Sequence, residues 1–286
     1  HDECEVSVDS AGALHQRGYA KAVGEAPLRE TFAAACVLSS PLLRRLTAVA
    51  HGDEELVLWD PFCGSGSMVL EALGIALGQP AGAPAKHYPF EHFPCHDADA
   101  YLKLTNGFEF TPHPALSRLS LLGSDASSEQ VARAQKNSER FMRRLWRDSR
   151  DPQKAVNDVD GTDSAREPLP CRLDFVAEKA YRVAKGLARR PTMVLTRIPD
   201  DRNLGSQRSA SYQEACSEFG RVVSQRLPEW RGVFCLVSDV ESFKELTGLE
   251  WTSDLSFLSG TKWVHLLQWT GLSTSHSRRR LSPGKR

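Results

Sequence analysis

The chain reads as short apolar runs separated by amphipathic stretches. Leu56–Trp59, Leu119–Gly123, Leu173–Val176, Met193–Thr196 and Gly232–Val237 are apolar or nearly so. That is the composition of strands covered on both faces. Between them, Met68–Leu77, Glu129–Trp146 and Tyr212–Leu227 carry helical periodicity. Residues 27–38 predict a further helix, with Pro27 in its first turn and Pro41 as its stop. Ser256–Leu258 and Lys262–Trp269 predict a terminal hairpin whose Trp263 and Trp269 face the core. Strands alternating with helices imply a mostly parallel sheet with helices on both faces. Residues 79–115 are proline-rich and read as a long irregular excursion. Residues 148–170, rich in Asp, Ser, Gly, Pro and Arg, predict a disordered insertion.

One junction carries candidate chemistry. Asp60-Pro61-Phe62-Cys63-Gly64-Ser65-Gly66-Ser67 follows the first apolar run and opens the next amphipathic one. This reads as strand, tight Gly-rich turn, helix. The glycines let the backbone come close to a ligand, and the free amides of the helix start point to the same place. Such a loop holds a nucleotide-like cofactor at the carboxyl end of a strand. A dinucleotide site would need a third glycine where Val69 stands.

The Asp60–Ser67 string resembles the S-adenosylmethionine loop of RNA and DNA methyltransferases. The lead-in, Leu14-His15-Gln16-Arg17-Gly18-Tyr19 and Ala26-Pro27-Leu28-Arg29-Glu30-Thr31, is similar to that of the RNA methylase family that includes the THUMP-associated guanine methyltransferases of ribosomal RNA. Tyr88-Pro89-Phe90-Glu91-His92-Phe93, Gly123-Ser124-Asp125 with Ala132–Asn137, and Phe257–Gly260 with Val264–Leu267 resemble later parts of the same family. The resemblance implies a class I methyltransferase fold: a Rossmann-like three-layer sandwich whose mostly parallel seven-stranded sheet ends in an antiparallel hairpin. It further implies S-adenosylmethionine as cofactor, S-adenosylhomocysteine as product and ribosomal RNA as partner. On this reading residues 1–26 are a lead-in leaving an N-terminal RNA-binding domain, residues 27–271 the methyltransferase domain, and residues 272–286 a basic disordered tail.

The expected cofactor residues are Asp60, Pro61, Phe62, Cys63, Gly64, Ser65, Gly66, Asp125, Ala126 and Glu178. Asp60, ending the first strand, can accept from the cofactor's ammonium group or order its own loop. Asp125, ending the second, suits a ribose diol, because both hydroxyls can donate to one carboxylate; it can equally cap the next helix. Glu178 stands where the family has an acid for the adenine amino group, or is a surface glutamate. Cys63 reads as a small inert thiol.

The fourth strand departs from the family. Where it has Asn-Pro-Pro-Tyr or Asn-Pro-Pro-Phe, this chain has Arg197-Ile198-Pro199-Asp200. A guanidinium has donors only and cannot accept from a target amino group. Asp200 cannot stack on a base, although Asp200 or Asp201 could replace the acceptor by a register shift. Two outcomes stay open: a methyltransferase with an altered target site built on Arg197, Pro199 and Asp200, or a cofactor-binding relative serving as an RNA scaffold. A nicotinamide-dependent oxidoreductase is a weaker third reading.

Composition adds little. With 36 basic and 36 acidic residues the net charge is zero, unlike a dedicated nucleic-acid binder. Basic residues do gather between Val131 and Lys154 and in the tail at Arg278–Arg280, which reads as a solvated helix face and a disordered end. No apolar run approaches the ~18 residues needed to cross a bilayer. His87, His92, Cys95 and His96 match no zinc spacing, so no metal is expected. Seven scattered cysteines without paired spacing point to a reducing intracellular compartment.

Overall fold

The computed structural model describes residues 4, 6–21, 28–50, 52, 54–80, 88–106, 111–148, 169–198 and 210–274. In chain order the elements are α1 (Glu30–Ser39), α2 (Leu42–Val49), β1 (Leu56–Asp60), α3 (Ser67–Ala76), α4 (Ala98–Asn106), β2 (Leu119–Asp125) and α5 (Ser128–Asp148). Then follow β3 (Arg172–Ala177), α6 (Ala180–Gly186), β4 (Pro191–Arg197), α7 (Ala210–Gln225), β5 (Glu229–Val237), α8 (Val240–Thr247), β6 (Leu249–Ser259) and β7 (Lys262–Ser273).

Strand periodicity splits the interior into two cores. Leu56 and Leu58 of β1 point to one face of the sheet, while Val57 and Trp59 point to the other. The first face is covered by α1, α2, α3 and α5 through residues such as Cys36, Leu46, Leu70 and Phe141. The second is covered by α6, α7 and α8 through Ala184, Phe219 and Phe243. The result is a three-layer sandwich around a seven-stranded sheet in the order β3-β2-β1-β4-β5-β7-β6. The first five strands pair in parallel, and β7 enters antiparallel between β5 and β6. This is the class I methyltransferase architecture. The chain runs outward from β1 to β3, then returns to place β4 on the other side of β1. The carboxyl ends of β1 and β4 therefore flank a topological switch point, where open α/β sheets bind ligands.

Several elements depart from the expectation. Pro41 does not merely end α1: it is the N-cap of α2, which breaks away at a bend of 51°. The irregular excursion contains α4 and a short helical turn at Pro89–His92. Helices α6 and α8 lie between strands where none was expected, and β6 starts at Leu249 rather than near Ser256. Trp263 is 58% exposed, not in the core, and Trp269 is half-buried. The expected disorder at 148–170 lies, but for its first and last two residues, outside the described residues, as does the tail from 275 onward. No single described helix is long and apolar enough to cross a membrane.

The lead-in is anchored in the same core. Tyr19 is 2% exposed and donates its hydroxyl to Glu71 Oε1 of α3 at 2.6 Å. Arg17 pairs with Oε2 of that carboxylate, also at 2.6 Å. Burial pushes Glu71 up to about 7, against the pull of Arg17 and Tyr19.

Candidate cofactor site at the β1–β4 switch point

The loop after β1 is held from three sides. The Cys63 amide donates to the Ser124 carbonyl at 2.9 Å, and the Trp59 indole N–H donates to the Ser124 hydroxyl, also at 2.9 Å. Behind the loop, buried Asn137 of α5 donates its side-chain amide to the Ser65 carbonyl at 3.0 Å. Gly66 is the N-cap of α3, at φ +86°. A Cβ there would meet Ala134 and Phe175 at 3.1 Å, so both conformation and space demand glycine. No side chain caps α3, so its first amides stay available to a ligand.

Two carboxylates converge on this loop. Asp125, closing β2, accepts the Gly64 amide on Oδ2 at 3.1 Å and the Ser127 amide on Oδ1 at 2.9 Å. A carboxylate offers about four lone-pair sites, so each oxygen can take one further donor, such as a diol hydroxyl. Asp125 thus anchors the loop and keeps acceptor sites open, but it does not cap α5: the Ser127 hydroxyl accepts the first-turn Gln130 amide at 3.4 Å instead. Asp60 is 3% exposed. Its Oδ1 accepts the Phe62 amide at 3.2 Å and the Thr196 hydroxyl at 2.5 Å, and its Oδ2 has no hydrogen-bond partner among the described residues. Burial pushes Asp60 up to about 7 against those two hydrogen bonds, with a smaller push from Asp125. A cation arriving at Oδ2 would restore the ionised form.

The other expected residues fall around this centre. Pro61 and Phe62 form the turn, and the Phe62 ring packs edge-on against Phe219 at 5.9 Å. Burial and the neighbouring Asp60 and Asp125 raise the Cys63 thiol well above its ordinary range, which fits an inert residue. A Cβ on Gly64 would point into open space. Ala126 is exposed beside Asp125. The Glu178 amide donates to the Asp125 carbonyl at 3.0 Å, which seats it at the same sheet end. Its carboxylate accepts the Lys179 amide at 2.9 Å and pairs with Arg182 at 3.3 Å, which lowers its pKa.

At the end of β4, Arg197 follows the Thr196 that touches Asp60. Ile198 is 2% exposed, within the second core. The cavity bounded by Arg197, Ile198, Tyr212 and Val264 measures about 20 Å³, room for little more than one water. Pro199 and Asp200 lie outside the described residues. Sequence reasoning missed Thr196, whose role depends on strand pairing, and Asn137. The latter left a trace, a polar residue in register with the buried Val131, Ala134 and Phe141 of α5. Among the described residues no group of three or more His, Cys, Asp or Glu side chains could hold a metal ion.

The arrangement fits an adenosyl amino acid: a glycine whose missing Cβ leaves open space, an uncapped helix start, and two carboxylates with unused acceptor sites. Comparison with known proteins agrees. Residues 17–146 match the family described as UPF0020: RMKL-like, methyltransferase domain. Ribosomal RNA large subunit methyltransferase K/L of Alcanivorax borkumensis is 38% identical over 142 residues, covering 49% of this chain and 19% of that protein. The chain thus spans about a fifth of that relative's length. Two solved structures share the fold. A possible methylase from Clostridium difficile 630 aligns over 97% of this chain and 59% of its own, with TM-score 0.59 and 19% identity. SMU.472, named as a methyltransferase and complexed with SAH, aligns over 93% and 58%, with TM-score 0.57 and 21% identity. The matched residues 17–146 hold the loop and Asp125, whereas β4 and Arg197 lie beyond them. Residues 17–146 are thus similar to the RMKL-like methyltransferase domain family.

Proposed function

We propose that this chain is an S-adenosylmethionine-dependent RNA methyltransferase acting on the exocyclic amino group of a guanine in ribosomal RNA. The observation that carries it is the convergence of Asp60, through the Phe62 amide, and Asp125, through the Gly64 amide, on the Gly-rich loop at the switch point. The relatives named for large-subunit ribosomal RNA and the neighbour complexed with SAH support the substrate and the cofactor.

When bound, the cofactor supplies an electrophilic methyl group. The protein's part is then positioning. Asp60 Oδ2 would receive the amino-acid ammonium, and Asp125 the ribose hydroxyls. The uncapped amides of α3 would face the amino-acid carboxylate. Glu178 would reach the adenine amino group by leaving Arg182, an exposed pair worth little. A target nitrogen must present its lone pair while an acceptor holds its hydrogens.

That last requirement favours a second reading, a cofactor-binding relative with an impaired target site. The observation behind it is Arg197, which has no acceptor, beside a cavity of about 20 Å³. Two measurements separate the readings. Calorimetry with S-adenosylmethionine tests the cofactor site, and tritiated methyl transfer into unmodified ribosomal RNA tests the target site. Binding with transfer supports the first reading, binding without transfer the second, and absence of binding sinks both.

A further inference from the structure

The opposite end of the sheet from the candidate cofactor site holds a second feature. At the amino ends of β4 and β5, a groove of about 1040 Å³ opens between α2, the turns preceding those strands, and β7. Its lining includes Arg44, Arg45, Arg189, Arg226 and Arg231, against the two acids Glu229 and Asp254. Arg231 is neutralised by Glu54 at 3.2 Å and Glu229 at 2.9 Å. Arg44, Arg45, Arg189 and Arg226 are all exposed, and none pairs with a carboxylate of any described residue. In a chain with no net charge, this groove thus has a net positive lining of five arginines against two acids.

The backbone gives a second, independent observation. Among the described residues the only non-glycine positions with positive φ are Arg189, at +64°, and Arg226, at +50°. Both follow helix ends, where glycine is the usual choice. The two turns are tied together, with the Arg189 amide donating to the Leu227 carbonyl at 2.9 Å and the Glu229 amide to the Arg190 carbonyl at 3.0 Å. Two unfavourable conformations are therefore held side by side, each presenting a guanidinium to one groove. Backbone cost retained at paired charged residues points to function. The Arg226 guanidinium also lies over the Trp269 ring at 5.2 Å and donates to the Gly271 carbonyl at 2.6 Å. Planar cation and indole together offer a stacking platform beside the charge.

We infer that this groove binds the phosphodiester backbone of single-stranded RNA, away from the reacting nucleotide. Arginine forks suit phosphate oxygens, and a concave basic surface with an aromatic face suits a single strand. An acidic protein segment would use the charge but gain less from the Arg226–Trp269 platform. The inference rests on the reading of RNA as substrate and adds a second site of attachment to it.

The test uses the full chain and a short fluorescein-labelled single-stranded RNA, followed by anisotropy across a salt series. The first variant combines Arg44→Gln, Arg45→Gln, Arg189→Gly and Arg226→Gly; glycine removes the charge while relieving the positive φ. RNA binding should weaken by at least ~10-fold, and the log–log salt slope should flatten by about 0.7 for each phosphate that is no longer neutralised. Should that variant fail to fold, Arg44→Glu with Arg45→Glu on the exposed face of α2 should weaken binding in the same direction. Asp125→Ala should lower cofactor affinity and leave RNA binding unchanged. That separates failure of the cofactor reading from failure of this one. Unchanged RNA affinity in the folded groove variants overturns the inference, as does polyglutamate competing as well as unlabelled RNA.

Discussion

Thr196 donates its hydroxyl to Asp60 Oδ1 at 2.5 Å across the β1–β4 pair, within the switch point. The residue that ends the first strand is thereby fixed by the residue just before Arg197. This bond and the Phe62 amide both fall on Oδ1. The geometry leaves the other oxygen, Oδ2, open and makes β4 a support for the Asp60 carboxylate.

Replacing Thr196 with Val removes the donor while keeping the shape. Asp60, already raised to about 7 by burial, should then titrate higher, since the Thr196 hydroxyl no longer lowers it. Leaving a buried acceptor short of its partner costs ~1–3 kcal/mol. Thermal denaturation should show the loss, and the pH midpoint of cofactor binding should move upward. An unmoved midpoint would mean that Thr196 does not tune this carboxylate.

The pH dependence of the wild type has a definite sign. Asp60 is raised from 3.8 to about 7, so in that window the native state holds a proton that the unfolded chain has released. Stability is fullest below the unfolded value and falls as pH rises towards 7, by at most about 4 kcal/mol from this group. Glu71, also raised to about 7, slopes the same way. Asp60→Asn should remove Asp60's share of the slope and leave that of Glu71. Cofactor affinity should run oppositely, rising through about pH 7 as the carboxylate ionises to meet an ammonium. Denaturation and calorimetry over the same pH series would check both.

The loop glycines should separate folding from binding. At Gly66 a methyl group meets Ala134 and Phe175 at 3.1 Å, on a backbone at φ +86°, so Gly66→Ala should cost ~1–3 kcal/mol of stability. At Gly64 the added carbon points into open space, at φ +50°. Gly64→Ala should cost only about 1 kcal/mol of stability, yet lower cofactor affinity more than its stability change alone would. Equal losses in both properties for both variants would show that the open space is not the cofactor's.

The legibility of the chain follows from which forces act locally. The central strands announced themselves because burial on both faces leaves no room for polar residues, as in Leu56–Trp59. Asp60 and Asp125 stood out because strand ends beside glycines are where an α/β sheet meets its ligands. Helix α2 was hidden because Pro41 serves both as a stop for α1 and as a start for α2. Helix α8 carries its own signs, Asp239 capping the Ser242 amide and Gly248 in the left-handed region, but its 8 residues are too few to show an apolar periodicity. Strand β6 is exposed at Glu250, Thr252, Ser253 and Asp254, so no apolar run marks its first half. Thr196 could not be read at all, because its partner Asp60 is 136 positions away. Nor could the pairing of Arg189 and Arg226, which depends on two turns meeting in space.

The attachment of the lead-in to α3 should be structural. Arg17→Ala would leave the Glu71 carboxylate, 3% exposed, without its cation, a change that costs ~3–5 kcal/mol for a buried pair. Because α3 begins at the cofactor loop, the variant should also lose cofactor affinity, and Arg17→Lys should recover part of both. Chemical denaturation of the two variants checks this. A cost below ~1 kcal/mol for Arg17→Ala would place the pair with ordinary surface ion pairs.

The target site gives the sharpest expectation. Arg197 ends β4 next to Thr196 and carries donors only, whereas under the proposed function a target amino group there needs an acceptor. Methyl transfer to guanine amino groups by this chain alone should therefore be slow or undetectable even when the cofactor binds. Arg197→Asn combined with Ile198→Pro and Asp200→Tyr would restore an acceptor and a stacking ring. Burial of Ile198 in the second core means that this variant should also lose some stability. Tritiated methyl incorporation into unmodified ribosomal RNA, compared between the wild type and the restored variant, measures the difference. Wild-type incorporation that survives Arg197→Ala but disappears in Asp200→Ala would contradict an impaired site. The acceptor would then be Asp200, with the motif shifted along the chain and still in use.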